Sequence, residues 1–214
     1  MSYQTSDKEI AGRVTAVLRH FECSTFMAHE NIEVSAEWRL EILKEVGAAD
    51  LFVPILSANY FNSTWCVQES GIAAFRGVTI IPLSTDGTVS QGLIAHIQSI
   101  RIDPNAPKYT DLLPGIAKHD VTFVIDQLIA KVADSRSFRS AESNFELILP
   151  YLGRTTRDQM VRLLNASTEN GQVCHASLCA TRYLPPLVAS HGKFMDKDKL
   201  VELEGVLAQY NKSP

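Results

Sequence analysis

Two short apolar segments, DLFVPIL (residues 50–56) and VTIIPLS (residues 78–84), constrain the fold of this chain most strongly. Each is apolar at successive positions rather than at alternate ones, which is typical of a strand covered on both faces. Such strands occur in parallel sheets with helices on both sides. Pro54 cannot donate a hydrogen bond to a neighbouring strand, which counts against a fully paired strand in the first segment.

Helical patterns alternate with these segments. From Ser6 onward apolar residues recur at helical spacing up to Phe21, and Ser6 with Glu9 matches the capping-box pattern of a helix start. The remaining predicted elements are a strand at 24–28, a helix carrying Trp38, a helix from Asn62 or Ser63 to about Arg76, a weak strand at 97–103 and a helix at 119–134. The repeated strand–helix order predicts an α/β fold with a doubly wound parallel sheet.

The composition changes at DSRSFRSAES (residues 134–143), which is polar and reads as a linker. The segments after it have helical patterns over 142–152, 155–166, 172–190 and 196–210. We therefore predict three regions: an α/β domain at 1–134, a linker at 135–141 and a small all-helical domain at 142–214.

Composition excludes several classes of function. The net charge of −4 offers no basic surface for nucleic acid. The six histidines lack H-x-x-H spacing and the four cysteines form no C-x-x-C pair, so no metal site is expected. No run approaches the length of about eighteen apolar residues that spans a membrane, and no secretory signal is present, so we predict a cytoplasmic protein without a membrane partner.

The segment STWCVQES (residues 63–70) is the strongest candidate for a site. Trp65 and Glu69 are four residues apart, so on a helix their side chains share one face. In an open α/β sheet such a helix begins at the carboxyl end of a strand, where ligands bind. The spacing alone still favours a plainer interpretation, in which Trp65 belongs to the core and Glu69 is solvated.

WCVQES resembles the W-C-x-x-E segment of Toll/interleukin-1 receptor (TIR) domains, and three other segments agree in order. MSYQTSDKEIAGRV resembles the first strand and helix of that family. FMAHENIEVSAEW resembles its second strand and the BB loop, and ADLFVPILSANYFNSTWC its third strand and following loop. These resemblances cover about residues 1–85.

The resemblance implies a flavodoxin-like fold, extending to about residue 134, and one of two functions. Many TIR domains, bacterial ones included, cleave NAD+ at the nicotinamide–ribose bond with the glutamate that matches Glu69, whereas receptor and adaptor domains only assemble with one another. Bacterial enzymes of this type make ADP-ribose or its cyclic or conjugated forms as signals in anti-phage (Thoeris-like) defence. For this chain the resemblance implies NAD+ as substrate, no bound cofactor, self-association through the BB loop and a downstream effector that senses the product.

A single carboxylate suits that reaction. Ordinary glycoside hydrolysis needs two, because a poor leaving group must be protonated while the oxocarbenium-like centre is stabilised. Nicotinamide leaves NAD+ as a neutral ring without protonation. One ionised glutamate can then stabilise the positive charge on the ribose and hold its hydroxyl groups.

The resemblance also implies substrate-binding roles for six residues: Tyr3, Gln4, His29, Glu30, Asn31 and Trp65. The first two match the end of the first strand, where Tyr3 can stack on a ring or serve as a half-buried aromatic residue. The three BB-loop residues border the pocket in family enzymes, although each alone also fits a solvated loop. Trp65 either contacts the substrate or only packs.

The sequence departs from the family pattern at two places. The apolar residues that precede Ser-Tyr in the family's first strand are missing before Ser2, so that strand is very short or the sequence starts at an internal methionine. The BB loop lacks the proline and glycine common in receptor members, which weakens the receptor-like interpretation more than the enzymatic one.

Two other functions remain open from the sequence: a non-catalytic TIR scaffold, and a nucleoside deoxyribosyltransferase-like enzyme that also uses a glutamate on an N-glycosidic bond. A response-regulator receiver is discarded because it needs clustered acidic residues after the first strand, where this chain has Asp7 and Glu9 within a helix. Cys66 is predicted to be a buried small residue rather than a nucleophile.

Overall fold

The structure is a computed structural model that describes residues 1–27 and 38–210. The chain divides into two compact units, Met1–His119 and Asp120–Pro214. The division lies earlier than the predicted domain end at residue 134, because the helix that follows His119 packs with the helices after it. None of the helices in the described part of the chain combines the length and the apolarity that a membrane span requires.

The first unit alternates helices and short strands. In chain order these are α1 (Lys8–Arg19), α2 (Trp38–Ala48), β1 (Leu51–Phe52), β2 (Ile55–Leu56), α3 (Thr64–Arg76), β3 (Thr79–Ile80), β4 (Leu83–Ser84), β5 (Ile100–Arg101) and α4 (Tyr109–His119). Single 3₁₀ turns occupy Thr5–Asp7, Tyr60–Asn62 and Gly92–Ile94. The strand–helix alternation predicted from the apolar segments is confirmed.

The described strands are parallel. β1 pairs with β3, and β4 lies between β2 and β5. Ser2 forms a single parallel bridge to Pro54, with its amide donating to the Val53 carbonyl at 3.0 Å and its carbonyl accepting from Ile55 at 2.9 Å. The chain is therefore an α/β protein with a flavodoxin-like parallel sheet, in which the first strand is reduced to one bridge.

Both predicted apolar strands are interrupted in the middle. Pro54 separates β1 from β2, and Pro82 separates β3 from β4, since a proline nitrogen has no hydrogen to donate. The carbonyl oxygens of the two prolines still accept hydrogen bonds, at 2.9 Å from Leu83 and at 2.8 Å from Ile100. Each proline therefore divides one predicted strand into two short strands, but hydrogen bonding to the neighbouring segment continues past the proline.

Several local predictions were wrong. Ser6 does not cap α1; instead the Gln4 side chain accepts from the Ser6 amide and caps the 3₁₀ turn that precedes the helix. The predicted strand at 24–28 does not form over its described residues, 24–27, although the Met1 amino group donates to the Phe26 carbonyl at 2.9 Å. The predicted strand at 97–103 contracts to Ile100–Arg101.

The second unit is helical. It contains α5 (Val121–Ala133), α6 (Phe138–Ile148), α7 (Arg157–Glu169), the single turn α8 (Gly171–Cys174), a π-helical segment (Cys179–Tyr183), α9 (Leu184–His191) and α10 (Lys197–Tyr210). A capping box between Ser137 and Ser140 starts α6. That helix therefore begins inside the segment predicted as a linker, 135–141, because the same serines that read as linker composition also cap a helix.

Candidate active site

Helix α3 presents the candidate site. Ser63 is its N-cap, with the side chain accepting a hydrogen bond from the Cys66 amide at 3.4 Å. Gly77 ends the helix in the left-handed conformation at φ 68°, with its amide donating to the carbonyls before it. The predicted helix from Ser63 to Arg76 is thus confirmed, and it carries Trp65 and Glu69 in its first two turns.

Glu69 is half-buried, and its surroundings act on its charge in two directions. Burial raises the pKa of the carboxyl, while hydrogen bonding from Ser2 and the nearby Met1 amino group lower the pKa. Among the described residues, no Lys, Arg or His side chain forms an ion pair with this carboxylate. Within the described part of the chain, Glu69 is therefore a partly dehydrated carboxylate without a counter-ion side chain, so its charge is available to a cationic group.

A cluster of hydroxyl groups lies beside Glu69. The hydroxyl of Tyr60, which is 0% exposed, lies 2.8 Å from the Ser2 Oγ and 2.9 Å from the Ser70 Oγ. It also donates to the Cys66 carbonyl at 3.3 Å. Sequence patterns did not identify Tyr60, Ser2 or Ser70, since serines and tyrosines at these spacings carry no recognisable signal.

Trp65 and Cys66, which are adjacent in the first turn of α3, differ in their exposure to solvent. Trp65 is half-buried, so its ring is neither fully inside the core nor free in solvent. Cys66 is 3% exposed, and burial raises the pKa of its thiol. Since thiolate is the reactive form of cysteine, this position suits packing and not nucleophilic attack, which confirms the prediction of a buried small residue.

The residues predicted at the end of the first strand have local roles. Tyr3 is 6% exposed, so most of its ring is covered. The Gln4 side chain accepts hydrogen bonds from the amide and the hydroxyl of Ser6, at 2.6 Å and 2.5 Å. The three predicted BB-loop residues, His29, Glu30 and Asn31, lie outside the described residues.

Further carboxylates lie after the strands of the first unit. Asp7 is buried and accepts from the Ser57 hydroxyl at 2.6 Å. Asp86 accepts from the Ala58 amide at 2.7 Å, and hydrogen bonding from Thr88 holds its pKa below the ordinary value. These bonds fix the loops that follow β2 and β4. Within residues 1–27 and 38–210, no three His, Cys, Asp or Glu side chains gather closely enough to hold a metal ion.

A groove of about 790 Å³ lies elsewhere in the first unit, between the end of α3, β3 and α4. Its lining is mostly apolar and includes Phe75, Leu93 and Ile97, with His96 and Lys118 among the polar members. None of the described residues that line it is a carboxylate. Chemistry that stabilises a cationic ribose needs a carboxylate, so the surroundings of Glu69 are the better candidate for an active site.

A comparison with protein-family models identifies the family of this chain. No curated protein and no solved structure matches the chain significantly. The family model described as the TIR domain matches residues 1–113, a segment that includes Glu69 and the whole parallel sheet. Because this segment is more than half of the 214 residues, the chain belongs to the TIR domain family.

Proposed function

We propose that this protein is a TIR-domain enzyme that cleaves NAD+ at the nicotinamide–ribose bond, with Glu69 as its catalytic carboxylate. The observation that carries the proposal is the state of Glu69: half-buried in the second turn of α3 and without an ion-pair partner among the described side chains. A structural carboxylate in a scaffold is ordinarily solvated or paired.

The proposed reaction breaks the bond between the ribose C1′ and the nicotinamide nitrogen. The bonding electrons pass to the cationic ring, which leaves neutral, and positive charge develops on the ribose. The ionised Glu69 stabilises that charge and orients the ribose hydroxyls, while water or a nucleophile within the same dinucleotide adds to C1′. No residue needs to protonate the leaving group, so the single carboxylate accounts for catalysis.

Replacing Glu69 tests this role directly. We expect Glu69→Ala to lower the rate of nicotinamide release by on the order of 10²–10³, since one well-placed electrostatic group contributes about 3–4 kcal/mol to a transition state. Glu69→Gln, which keeps the shape and removes the charge, should lose nearly as much. Chromatographic separation of NAD+ and nicotinamide in timed reactions gives both rates.

The matched control is Gln68→Ala, which changes the exposed neighbour on the same helical turn and should retain wild-type activity. Equal nicotinamide release from wild type and Glu69→Ala would remove Glu69 from the mechanism. A wild-type protein that releases no nicotinamide, even when concentrated, would contradict the proposal and leave a scaffold as the better explanation.

The further parts of the proposal follow from the family resemblance. The product is ADP-ribose or a cyclic or conjugated form of it, which a downstream effector senses in a cytoplasmic anti-phage response. Copies of the chain associate through the BB loop, and Tyr3, Gln4, Trp65 and the BB-loop residues contact the dinucleotide. Mass spectrometry of the reaction products distinguishes linear, cyclic and conjugated forms.

One observation is compatible with the alternative of a non-catalytic TIR scaffold. Val67 and Phe75 on α3 are 45% and 92% exposed, and the nearby Leu93 is 69% exposed. Large apolar side chains grouped on a surface are typical of protein interaction sites. Such a surface fits an assembling enzyme equally well, so nicotinamide release and not association decides between the two functions.

A further inference from the structure

We propose that a groove in the first unit, called the β3 groove below, is a docking site for an extended segment of a partner protein in which acidic and large apolar residues alternate. The β3 groove lies between the last turn of α3, the strand β3, the segment before β5 and the end of α4, and its volume is about 790 Å³. None of its described lining residues belongs to the candidate active site, so this inference goes beyond the proposed cleavage reaction.

One edge of β3 is open in the described part of the chain. β3 pairs with β1 on one side, and the described strands include none on its other side. β4, which follows Pro82, does have a second neighbour, β5, but β5 begins only at Ile100. The backbone before β5 forms a turn instead, in which the Ile97 amide donates to the Ile94 carbonyl at 2.9 Å. The β3 groove therefore occupies the place that another strand would take.

The open edge presents backbone groups to the groove. The Ile81 amide donates to the Phe52 carbonyl of β1 at 2.9 Å. Backbone groups of successive residues in a strand point to opposite sides, so the amide and carbonyl of Ile80 point away from β1 and toward the β3 groove. The Pro82 carbonyl, two residues later, points the same way and accepts from the Ile100 amide at 2.8 Å. A segment that enters the groove can add to β3 by the same kind of main-chain bonding.

The two faces of β3 define the two walls of the groove. Ile80 belongs to a buried cluster with Phe52 and Ala73, so its side chain faces α3. Ile81 faces α4, since a Cβ placed on Gly115 would lie 2.6 Å from the Cγ2 atom of Ile81. The side chains of an added strand would alternate between the same two walls.

The wall on the α3 side is apolar and open to solvent. Phe75 and Leu93 line it and are 92% and 69% exposed. Leu93 lies against α3, because a Cβ placed on Gly71 would be 3.8 Å from its Cδ1 atom. A partner residue that points to this wall should therefore be large and apolar, since a few such anchors dominate the affinity of many interfaces.

The end of α4 brings positive charge to the groove. Lys118 and His96 line it, and none of the described lining residues is acidic. Within the described chain, the Lys118 ammonium forms no ion pair with a carboxylate. Charge complementarity therefore selects an acidic partner segment. A second copy docked groove to groove would instead bring two Lys118 ammonium groups to one interface, with no carboxylate from the described lining to compensate them.

Selection from a displayed library of random peptides, with the full chain as target, tests the proposal. The enriched peptides should alternate glutamate or aspartate with large apolar residues. One enriched peptide, labelled with fluorescein, then reports affinity by fluorescence anisotropy. Lys118→Glu and Phe75→Ala should each weaken its binding about tenfold, and added salt should weaken its binding to wild type.

Two substitutions in the other unit are matched controls. Val201→Ala removes part of an apolar side chain that is 68% exposed, and Lys197→Glu reverses an exposed charge. Both should leave peptide binding unchanged. The measurement contains no NAD+, so a failure of the cleavage proposal does not affect its outcome.

Amide hydrogen exchange tests the addition of a strand to β3. The Ile80 amide should exchange more slowly in the peptide complex, because it then donates to the peptide backbone. An unchanged exchange rate of this amide in the saturated complex would overturn strand addition.

Two further results would overturn the proposal. One is a library that enriches no acidic and apolar pattern, or peptides that bind Lys118→Glu and Phe75→Ala as well as wild type. The other is self-association in light scattering that both substitutions abolish, which would make a second copy the occupant. If Phe75→Ala does not fold, Leu93→Ala carries the same test on the same wall.

Discussion

At the scale of single residues, Glu69 combines two opposed requirements. A carboxylate stabilises a cation best where little water competes for its charge, yet the same dehydration makes ionisation unfavourable. Here burial raises the pKa of Glu69, and hydrogen bonding from Ser2 lowers it again. The balance leaves burial as the larger effect, so ionised Glu69 is expected to reduce the stability of the fold.

Glu69→Gln should therefore raise the Tm at neutral pH while it lowers the rate of nicotinamide release. The sign follows from linkage: a carboxyl whose pKa is higher in the folded protein binds its proton more tightly there, so stability rises as the pH falls through that pKa. The gain in Tm should shrink at acidic pH, where wild-type Glu69 is itself neutral. Differential scanning calorimetry at both pH values measures this, and a lower Tm for the variant at neutral pH would contradict it.

At the scale of single elements, α3 depends on the residues at its two ends. Ser63 satisfies an amide at the start, and Gly77 takes the left-handed conformation at φ 68° that closes the last turn. Arg76, in the last turn, donates to the carbonyls of Val46 and Ala49 at 2.7 Å and 3.0 Å, which ties the end of α3 to the region of α2. The position of Glu69 is therefore determined by contacts at both ends of its helix.

Two Gly→Ala substitutions should change stability in opposite directions. Gly77→Ala forces a side chain into a left-handed backbone and should lower the free energy of unfolding by about 1 kcal/mol. Gly12→Ala lies within α1, where the added Cβ meets no atom within 4 Å apart from the nearby backbone of its own helix, so it should raise that free energy by roughly 0.5–1 kcal/mol. Urea unfolding of the two variants and wild type gives the comparison, and changes of the same sign would refute it.

At the scale of the whole molecule, the chain builds two separate cores. The parallel sheet buries residues such as Ile55 and Leu83 in the first unit, and the helices bury residues such as Phe145 and Leu163 in the second. α5 belongs to the second core: the buried Gln159 of α7 donates to the Thr122 carbonyl at 3.1 Å and to the Asp126 carboxylate at 2.9 Å.

Two fragments test where the second unit begins. A fragment of residues 120–214 should be helical and melt cooperatively, whereas one of residues 135–214 should be much less stable, because it lacks α5. The lost helix contributes five buried apolar side chains, Val124, Ile125, Leu128, Ile129 and Val132. Circular dichroism during heating compares the two, and equal melting of both fragments would place the boundary at residue 134 instead.

The amino-acid sequence by itself determined the fold class, the α3 helix and the location of Glu69 on it. These features depend on the spacing of apolar residues and on helix caps such as Ser63. Both signals act over a few residues, so they can be recognised in a short segment of the sequence. Family resemblance added the expected chemistry, since spacing alone did not separate a catalytic carboxylate from a solvated one.

Only the tertiary structure decided what surrounds that carboxylate. Ser2 and Tyr60 are 58 residues apart, and their hydrogen bond exists because the first strand bridges to Pro54 and a turn after β2 directs the tyrosine inward. Tertiary structure also decided which unit α5 belongs to. The sequence predicted this helix, but its place in the second unit depends on the helices that it packs against. Burial, and with it the pKa of Glu69, is a property of all the neighbours that folding assembles, so no local pattern in the chain encodes it.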